Sequence, residues 1–155
     1  MEKDIYMVSF SGGRTSALMT RIMLDNYPLD QLVICFANTG KEHENTLKFV
    51  HDCEVNWGVQ IHWIEYRPGG FEVVNYETAS RNGEPYAELI AKRKFVPNAV
   101  TRYCTTELKI RPIKKFMKSL GHKHWFNCVG IRADEERRYR RLPNACAKEP
   151  YESIA

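Results

Sequence analysis

The chain has 155 residues, 43% of them hydrophobic and 27% charged, with a formal net charge of +4. These are the proportions of a soluble globular protein, and the length suits one compact domain burying about 70% of its unfolded surface. No run of ~18 apolar residues exists to form a spanning helix, and the opening Met-Glu-Lys-Asp lacks a signal peptide's apolar core. The expected location is therefore the cytoplasm, with no membrane partner.

The charge is unevenly placed. Residues 1–101 hold 10 Lys/Arg against 13 Asp/Glu, whereas residues 102–141 hold 12 against 4, a block of +8. Such a block implies an anionic partner, either nucleotide phosphates or a nucleic-acid backbone; the plainer reading is a solvated basic helix face. The five cysteines, Cys35, Cys53, Cys104, Cys128 and Cys146, are odd in number and form no Cys-x-x-Cys pair. They read as reduced thiols, three of them in apolar segments, and neither a zinc site nor an iron–sulfur cluster is expected.

In chain order, Ile5 to Phe10 is predicted as a short buried strand. A helix takes over from Ala17, with Leu18, Met19, Ile22 and Met23 on one stripe. Between them lies Ser11-Gly12-Gly13-Arg14-Thr15-Ser16. Glycines allow a tight turn and close backbone approach to a ligand, and the free N–H groups and positive dipole end of the helix favour an anion, usually phosphate. Gly-Gly alone also suits an ordinary strand–helix connection. Ser-Gly-Gly-x-x-Ser after a strand is a stronger signal, because the second serine can cap N–H groups or bond a phosphate oxygen.

Leu32 to Ala37 is predicted as a second buried strand, closed by Asn38-Thr39-Gly40. A helix follows from Glu44 to Trp57, with Phe49, Val50, Cys53 and Trp57 at helical spacing and Gly58 as its stop. Ile61 to Tyr66 is a third strand, ended by Arg67-Pro68-Gly69-Gly70. This alternation predicts a parallel sheet wrapped by helices. Ligands of such sheets lie beyond the carboxyl ends of the strands, where Ser11–Ser16, Asn38–Lys41 and Arg67–Gly70 all fall.

Residues 71–103 are less regular, with a short helix from Glu84 to Arg93 and a loop from Lys94 to Tyr103 containing Pro97. Thr105 to Lys109 leads into a helix with Pro112 in its first turn and Ile113, Phe116, Met117 and Leu120 on its apolar face. Trp125 to Val129 is a fourth strand, and Gly130-Ile131-Arg132 its turn. Asp134-Glu135-Glu136 suits a helix start, with Arg137, Arg138, Arg140 and Arg141 following. From Leu142 to Ala155 no pattern remains, and a longer natural protein or a partner chain covering this end is expected. Among smaller candidates, Glu42 and His43 can touch substrate or simply be solvated. Tyr66, Phe71 and Tyr76 can stack on a base or pack in core and rim. His122 and His124 have no local metal-ligating partners.

Four stretches together resemble the PAPS reductase-like branch of the PP-loop adenine nucleotide α-hydrolase and ATP pyrophosphatase group. They are Ser9-Phe10-Ser11-Gly12-Gly13-Arg14-Thr15-Ser16, Phe36-Ala37-Asn38-Thr39-Gly40, the segment from Arg102 to Pro112, and Gly130 to Glu135. The resemblance covers nearly the whole chain and implies a single Rossmann-like α/β domain with a mostly parallel sheet. It implies that residues Ser9 to Ser16 take the nucleotide's phosphates, that Asn38, Thr39 and Gly40 take its adenosine, and that Gly130 lies near it. Lys109 and Arg132 would face anionic groups as the catalytic cations. Two departures stand out. Arg14-Thr15 replaces the family's common Lys-Asp, which trades a point cation for a planar fork and removes a magnesium contact. The Glu-Cys-Gly-x-His segment that carries the reductases' nucleophile is missing, and of the iron–sulfur branch's cysteines only Cys104 stands in place.

Three functions are compatible with this. The first is an enzyme that cleaves ATP between its α and β phosphates, adenylylating a second substrate, with magnesium bridging the leaving phosphates. The second is a thiol-dependent sulfonucleotide reductase whose cysteine lies elsewhere, Cys104 being a poor substitute despite its basic setting. The third is a non-catalytic subunit binding a nucleotide, or a nucleic acid through residues 102–141. A homo-oligomer is left open.

Overall fold

The computed structural model describes residues 3–94, 106–132, 134–139 and 152–154. In chain order the elements are β1 (Tyr6–Ser9), α1 (Arg14–Asn26), a 3-10 turn (Leu29–Gln31), β2 (Leu32–Asn38), α2 (Glu44–Trp57), β3 (Ile61–Arg67), β4 (Gly70–Val74) and α3 (Glu84–Arg93). A π-helical turn (Thr106–Ile110) then runs directly into α4 (Arg111–Ser119), followed by β5 (Phe126–Val129), α5 (Glu136–Tyr139) and β6 (Glu152–Ile154). The strands form one sheet in the order β4-β3-β2-β1-β5-β6. β1 is parallel to both neighbours, with Tyr6 opposite Leu32 on one side and Phe126 on the other. β6 is parallel to β5, and β4 antiparallel to β3. This is the predicted α/β, Rossmann-like, mostly parallel architecture. Among the described residues, no helix is long and apolar enough to cross a membrane. The predicted loop 95–103, Cys104, Cys146, Arg140 and Arg141 lie outside the described residues.

Packing groups the chain into two compact units, one within Met1–Cys35 and His122–Ala155, the other within Phe36–Gly121. In the first, Met7, Val8, Ile34, Cys35 and Cys128 form a buried layer, and Tyr6 lies between the rings of Tyr27 and Phe126 at 4.5 and 5.3 Å. Helix α1 begins at Arg14, three residues before the predicted start, and buries Ser16, Ala17, Thr20 and Met23. Leu18 and Ile22, predicted to face the core, are 64% and 52% exposed. Small side chains allow the helix to approach β1 and β5 closely, and that closeness outweighs the burial of two larger residues.

In the second unit, Phe36 meets Trp63 edge-on at 5.1 Å, with Leu47, Val50, Ile64, Leu89, Leu108 and Met117 buried. Here Phe49 is 37% exposed and Leu120 47%, so neither belongs to the apolar face predicted for its helix. Two strands were not anticipated. The Pro68-Gly69 corner does not end β3 in a loop but returns the chain as β4, and a three-residue strand forms in the C-terminal stretch that shows no sequence pattern.

The core of the second unit holds one polar hub. Glu65, in the middle of β3, is fully buried. Its carboxylate accepts from the Asn38 side-chain amide at 2.7 Å, from the Ser80 N–H at 2.6 Å and hydroxyl at 2.7 Å, and from Arg67 at 3.1 Å. A buried charge is tolerated when it is met this completely, and removing it strands every donor around it. Glu65→Ala should therefore cost about 3–5 kcal/mol in urea unfolding; a loss below about 1 kcal/mol would show that the hub does not hold the fold.

Candidate functional site

The loop between β1 and α1 is closed by one hydroxyl. Ser16 Oγ donates to the Gly13 carbonyl at 3.0 Å and accepts from the Ser11 N–H at 3.1 Å and the Ser11 hydroxyl at 3.0 Å. Ser16 is buried, so of its two expected roles it takes the first: it ties down the Ser11 amide and is engaged within the loop. Thr20 holds the next turn by donating to the Ser16 carbonyl at 2.7 Å. Phe10 is buried in the core with its N–H on the Cys35 carbonyl at 2.9 Å, while Ser9 ends β1 in register with Cys35 and Val129. The side chain of Phe10 thus anchors the loop from below.

The remaining amides are different. The N–H groups of Gly12, Gly13, Arg14, Thr15 and Ser16 have no acceptor among the described residues. The helix cap, Gly13, makes no side-chain capping bond, and the first turn contains no acid. Arg14 stands exposed at the first helical position, where a cation opposes the helix dipole. In the two-glycine turn Gly12 has φ 82, the left-handed region that favours glycine, whereas a Cβ at Gly13 would meet only Ser11 Oγ at 3.6 Å.

Gly130 meets this loop from the end of β5. A Cβ there would stand 3.1 Å from the Ser16 nitrogen and 3.2 Å from the Ser16 Cα and the Thr15 carbonyl carbon. Those are backbone atoms, so only glycine lets the strand end rest on the first turn of α1. Two residues on, the Arg132 guanidinium donates to Asp134 at 3.1 Å and its N–H to Glu135 at 2.9 Å. Arg132 does face an anion, but one from its own turn.

The second predicted stretch forms a separate cluster within the other unit. Asn38 is fully buried, and its amide donates to Glu65 and, at 2.9 Å, to the Ser80 carbonyl; its oxygen accepts the Gly40 N–H at 3.2 Å. Its side chain therefore positions the turn. Thr39 donates to Glu42 at 3.0 Å and accepts the Lys41 N–H at 3.2 Å. Gly40, at φ +80, has a conformation and a space that admit no side chain, since a Cβ would lie 2.8 Å from the Gly83 Cα. Lys41 crosses Gly83 in turn and reaches the Tyr86 ring at 5.9 Å.

Lys109 lies half-buried in the π turn and has no ion-pair partner among the described residues. The turn is anchored by Glu107, whose nearly buried carboxylate takes both Arg93 and, at 2.6 Å, Arg111. The other candidates resolve as packing or caps. His43 caps α2 by accepting the Asn45 N–H at 3.1 Å. Tyr66 is buried, Phe71 packs edge-on to Phe116 at 5.8 Å, and Tyr76 stacks on His51 at 4.6 Å with Arg81 on its ring. Sequence reading missed Glu65, Ser80, Gly83 and Glu107; a carboxylate inside an apolar strand was the available signal for the first.

The sequence matches the family model described as the phosphoadenosine phosphosulfate reductase domain over residues 5–153. The chain belongs to this family. The chain is similar to the uncharacterized nin region protein ORF290 of Escherichia phage lambda, 29% identical over 151 residues that make up 90% of this chain and 52% of that protein. Uncharacterized protein MJ0066 of Methanocaldococcus jannaschii is 33% identical over 133 residues, 86% of this chain and 24% of that one. The chain thus spans about half the length of the first relative and about a quarter of the second.

The geometry makes Ser16 the residue on which the loop's shape depends. Ser16→Ala leaves the Ser11 N–H without its partner, while the Gly13 carbonyl keeps the Ala17 N–H at 3.0 Å. It should cost about 1–3 kcal/mol and speed hydrogen exchange at the Ser11 amide; unchanged exchange there would mean that the hydroxyl does not close the loop.

Proposed function

We propose that the chain binds an adenine nucleotide at the start of α1 and, with ATP, transfers the adenylyl group to a second substrate with release of pyrophosphate. One observation carries this reading: a run of free amides, from Gly12 to Ser16, opens a helix that has no acid in its first turn and an exposed arginine instead. Left alone, a cation there costs about 0.3–1 kcal/mol against the dipole. A polyphosphate reverses the sign of that term and satisfies the amides together.

In the reaction, a nucleophile of the second substrate attacks the α-phosphorus, the bond to the bridging oxygen breaks, and pyrophosphate leaves with that electron pair. The chain's part is to hold the phosphates and stabilise the charge gathering on their oxygens. Fixed amides of Gly12, Gly13 and Arg14 do this without reorganising, helped by the Ser11 hydroxyl and the Arg14 guanidinium. Arg132 can supply a further cation once it exchanges Asp134 for substrate. Magnesium finds no carboxylate in the first turn of α1, and among the described residues no group of three His, Cys, Asp or Glu is arranged to hold a metal. A magnesium ion would be held chiefly by the nucleotide's own phosphates and would add its charge to that of the amides and cations.

The family description favours a second reading, reduction of a sulfonucleotide. That chemistry needs an exposed thiolate. Cys35, Cys53 and Cys128 are buried, and burial pushes their thiols up, that of Cys128 to about 11.

Two measurements test these readings. The double variant Ser11→Ala/Gly13→Ala should weaken ATP binding in calorimetry by at least about tenfold while its melting temperature falls by no more than about 4 °C; unchanged affinity refutes the loop assignment. With PAPS and a thioredoxin-type donor, the chain should release no sulfite, and steady release would replace the first reading by the second.

A further inference from the structure

The basic block found in the sequence is divided by the fold, and one part of it is the π turn and α4. Between Leu108 and Leu120 lie five cations and no acid. Helix α4 turns Pro112, Ile113, Phe116 and Met117 inward and leaves Arg111, Lys115 and Lys118 exposed at i, i+4 and i+7. A helix face that is merely solvated usually mixes signs at this spacing, gaining a few tenths of a kcal/mol per pair, as Arg21 and Asp25 do on α1. Here the pair at this spacing that the described residues show is Glu107 with Arg111, and Glu107 is shared with Arg93. One nearly buried carboxylate thus faces two guanidinium groups, leaving an excess of positive charge where α3 and the π turn meet.

Arg111 lies inside a helical run that continues from the π turn, with Glu107 in the turn before it. Of the three exposed cations, Arg111 pairs with Glu107 and Lys115 donates to the Gly69 carbonyl at 3.2 Å, and an external anion would meet the positive charge that one carboxylate leaves over. From Arg111 to Lys118 the ridge climbs about 10 Å at 1.5 Å per residue. That length spans several phosphates of a polymer, with one duplex charge per about 1.7 Å of axis. Two of the three exposed cations are lysines, point charges suited to phosphate rather than to a base edge.

We propose that the ridge of Arg111, Lys115 and Lys118 binds the phosphodiester backbone of a nucleic acid, without sequence preference. This goes beyond the nucleotide reading and does not rest on it.

The test is fluorescence anisotropy of the full chain with labelled duplex DNA and with single-stranded RNA over a series of salt concentrations. Binding should weaken linearly in the logarithms of affinity and salt. Lys115→Gln/Lys118→Gln should lower the slope on duplex by about two and the low-salt affinity by at least about tenfold. Lys48→Gln, an exposed lysine on α2, should match the parent chain. ATP affinity of the double variant should be unchanged, so that failure of the ridge and failure of the α1 loop are told apart. The proposal is overturned if the parent chain binds neither probe at low salt, if the double variant keeps the parent slope, or if phosphatidylserine vesicles bind and duplex DNA does not compete.

Discussion

The structure depends on a single hydroxyl group placed between two others of its own loop. Ser16 holds the Ser11 amide and the Gly13 carbonyl together, and in doing so fixes the direction of the amides that follow. A cradle for a charged ligand is effective only if its dipoles are already oriented, because reorienting them would consume the attraction they provide. Phe10 secures the loop from the core and Gly130 supports it from β5. Rigidity at this point comes from three directions, and all three sit within one compact unit.

The other unit reaches the same end by different chemistry. Its turns are held by buried carboxylates: Glu65 gathers Asn38, Ser80 and Arg67, and Glu107 gathers Arg93 and Arg111. Each carboxylate costs free energy to desolvate, and the donors around it offset that cost. Tyr66 lies close enough to Glu107 for its hydroxyl to respond. Burial first, and then that negative charge, push the phenol above its ordinary range. The result is a pair of fixed turns, one ending β2 and one leading into α4, that carry the Thr39–Gly40 backbone and Lys109.

Much of this was legible in the sequence, for reasons that differ by element. Helices α2 and α3 begin and end where their apolar spacing and flanking glycines indicate, since capping and periodicity are local properties. The strand–turn–helix around Ser11–Ser16 was readable because glycines and hydroxyls at that spacing have few other uses. The face of α1 was misread because hydrophobicity identifies what gains by burial, whereas Ala17 and Thr20 are inside for their size. The antiparallel return of β4 was missed because Pro-Gly marks a corner without saying whether pairing continues beyond it. The part Asn38 plays in holding its turn was not legible, because nothing local announces that Glu65 and Ser80, 27 and 42 residues further on, will enclose its amide.

The contact between Gly40 and Gly83 has a mechanical consequence. Two main chains touch there with no side chain between them, a Cβ on either being excluded by the other residue or by Lys41. Most loops owe their independence to soft side chains that absorb small movements at their borders. Here that cushion is missing, so a shift of the corner after β2 would press directly on the cap of α3.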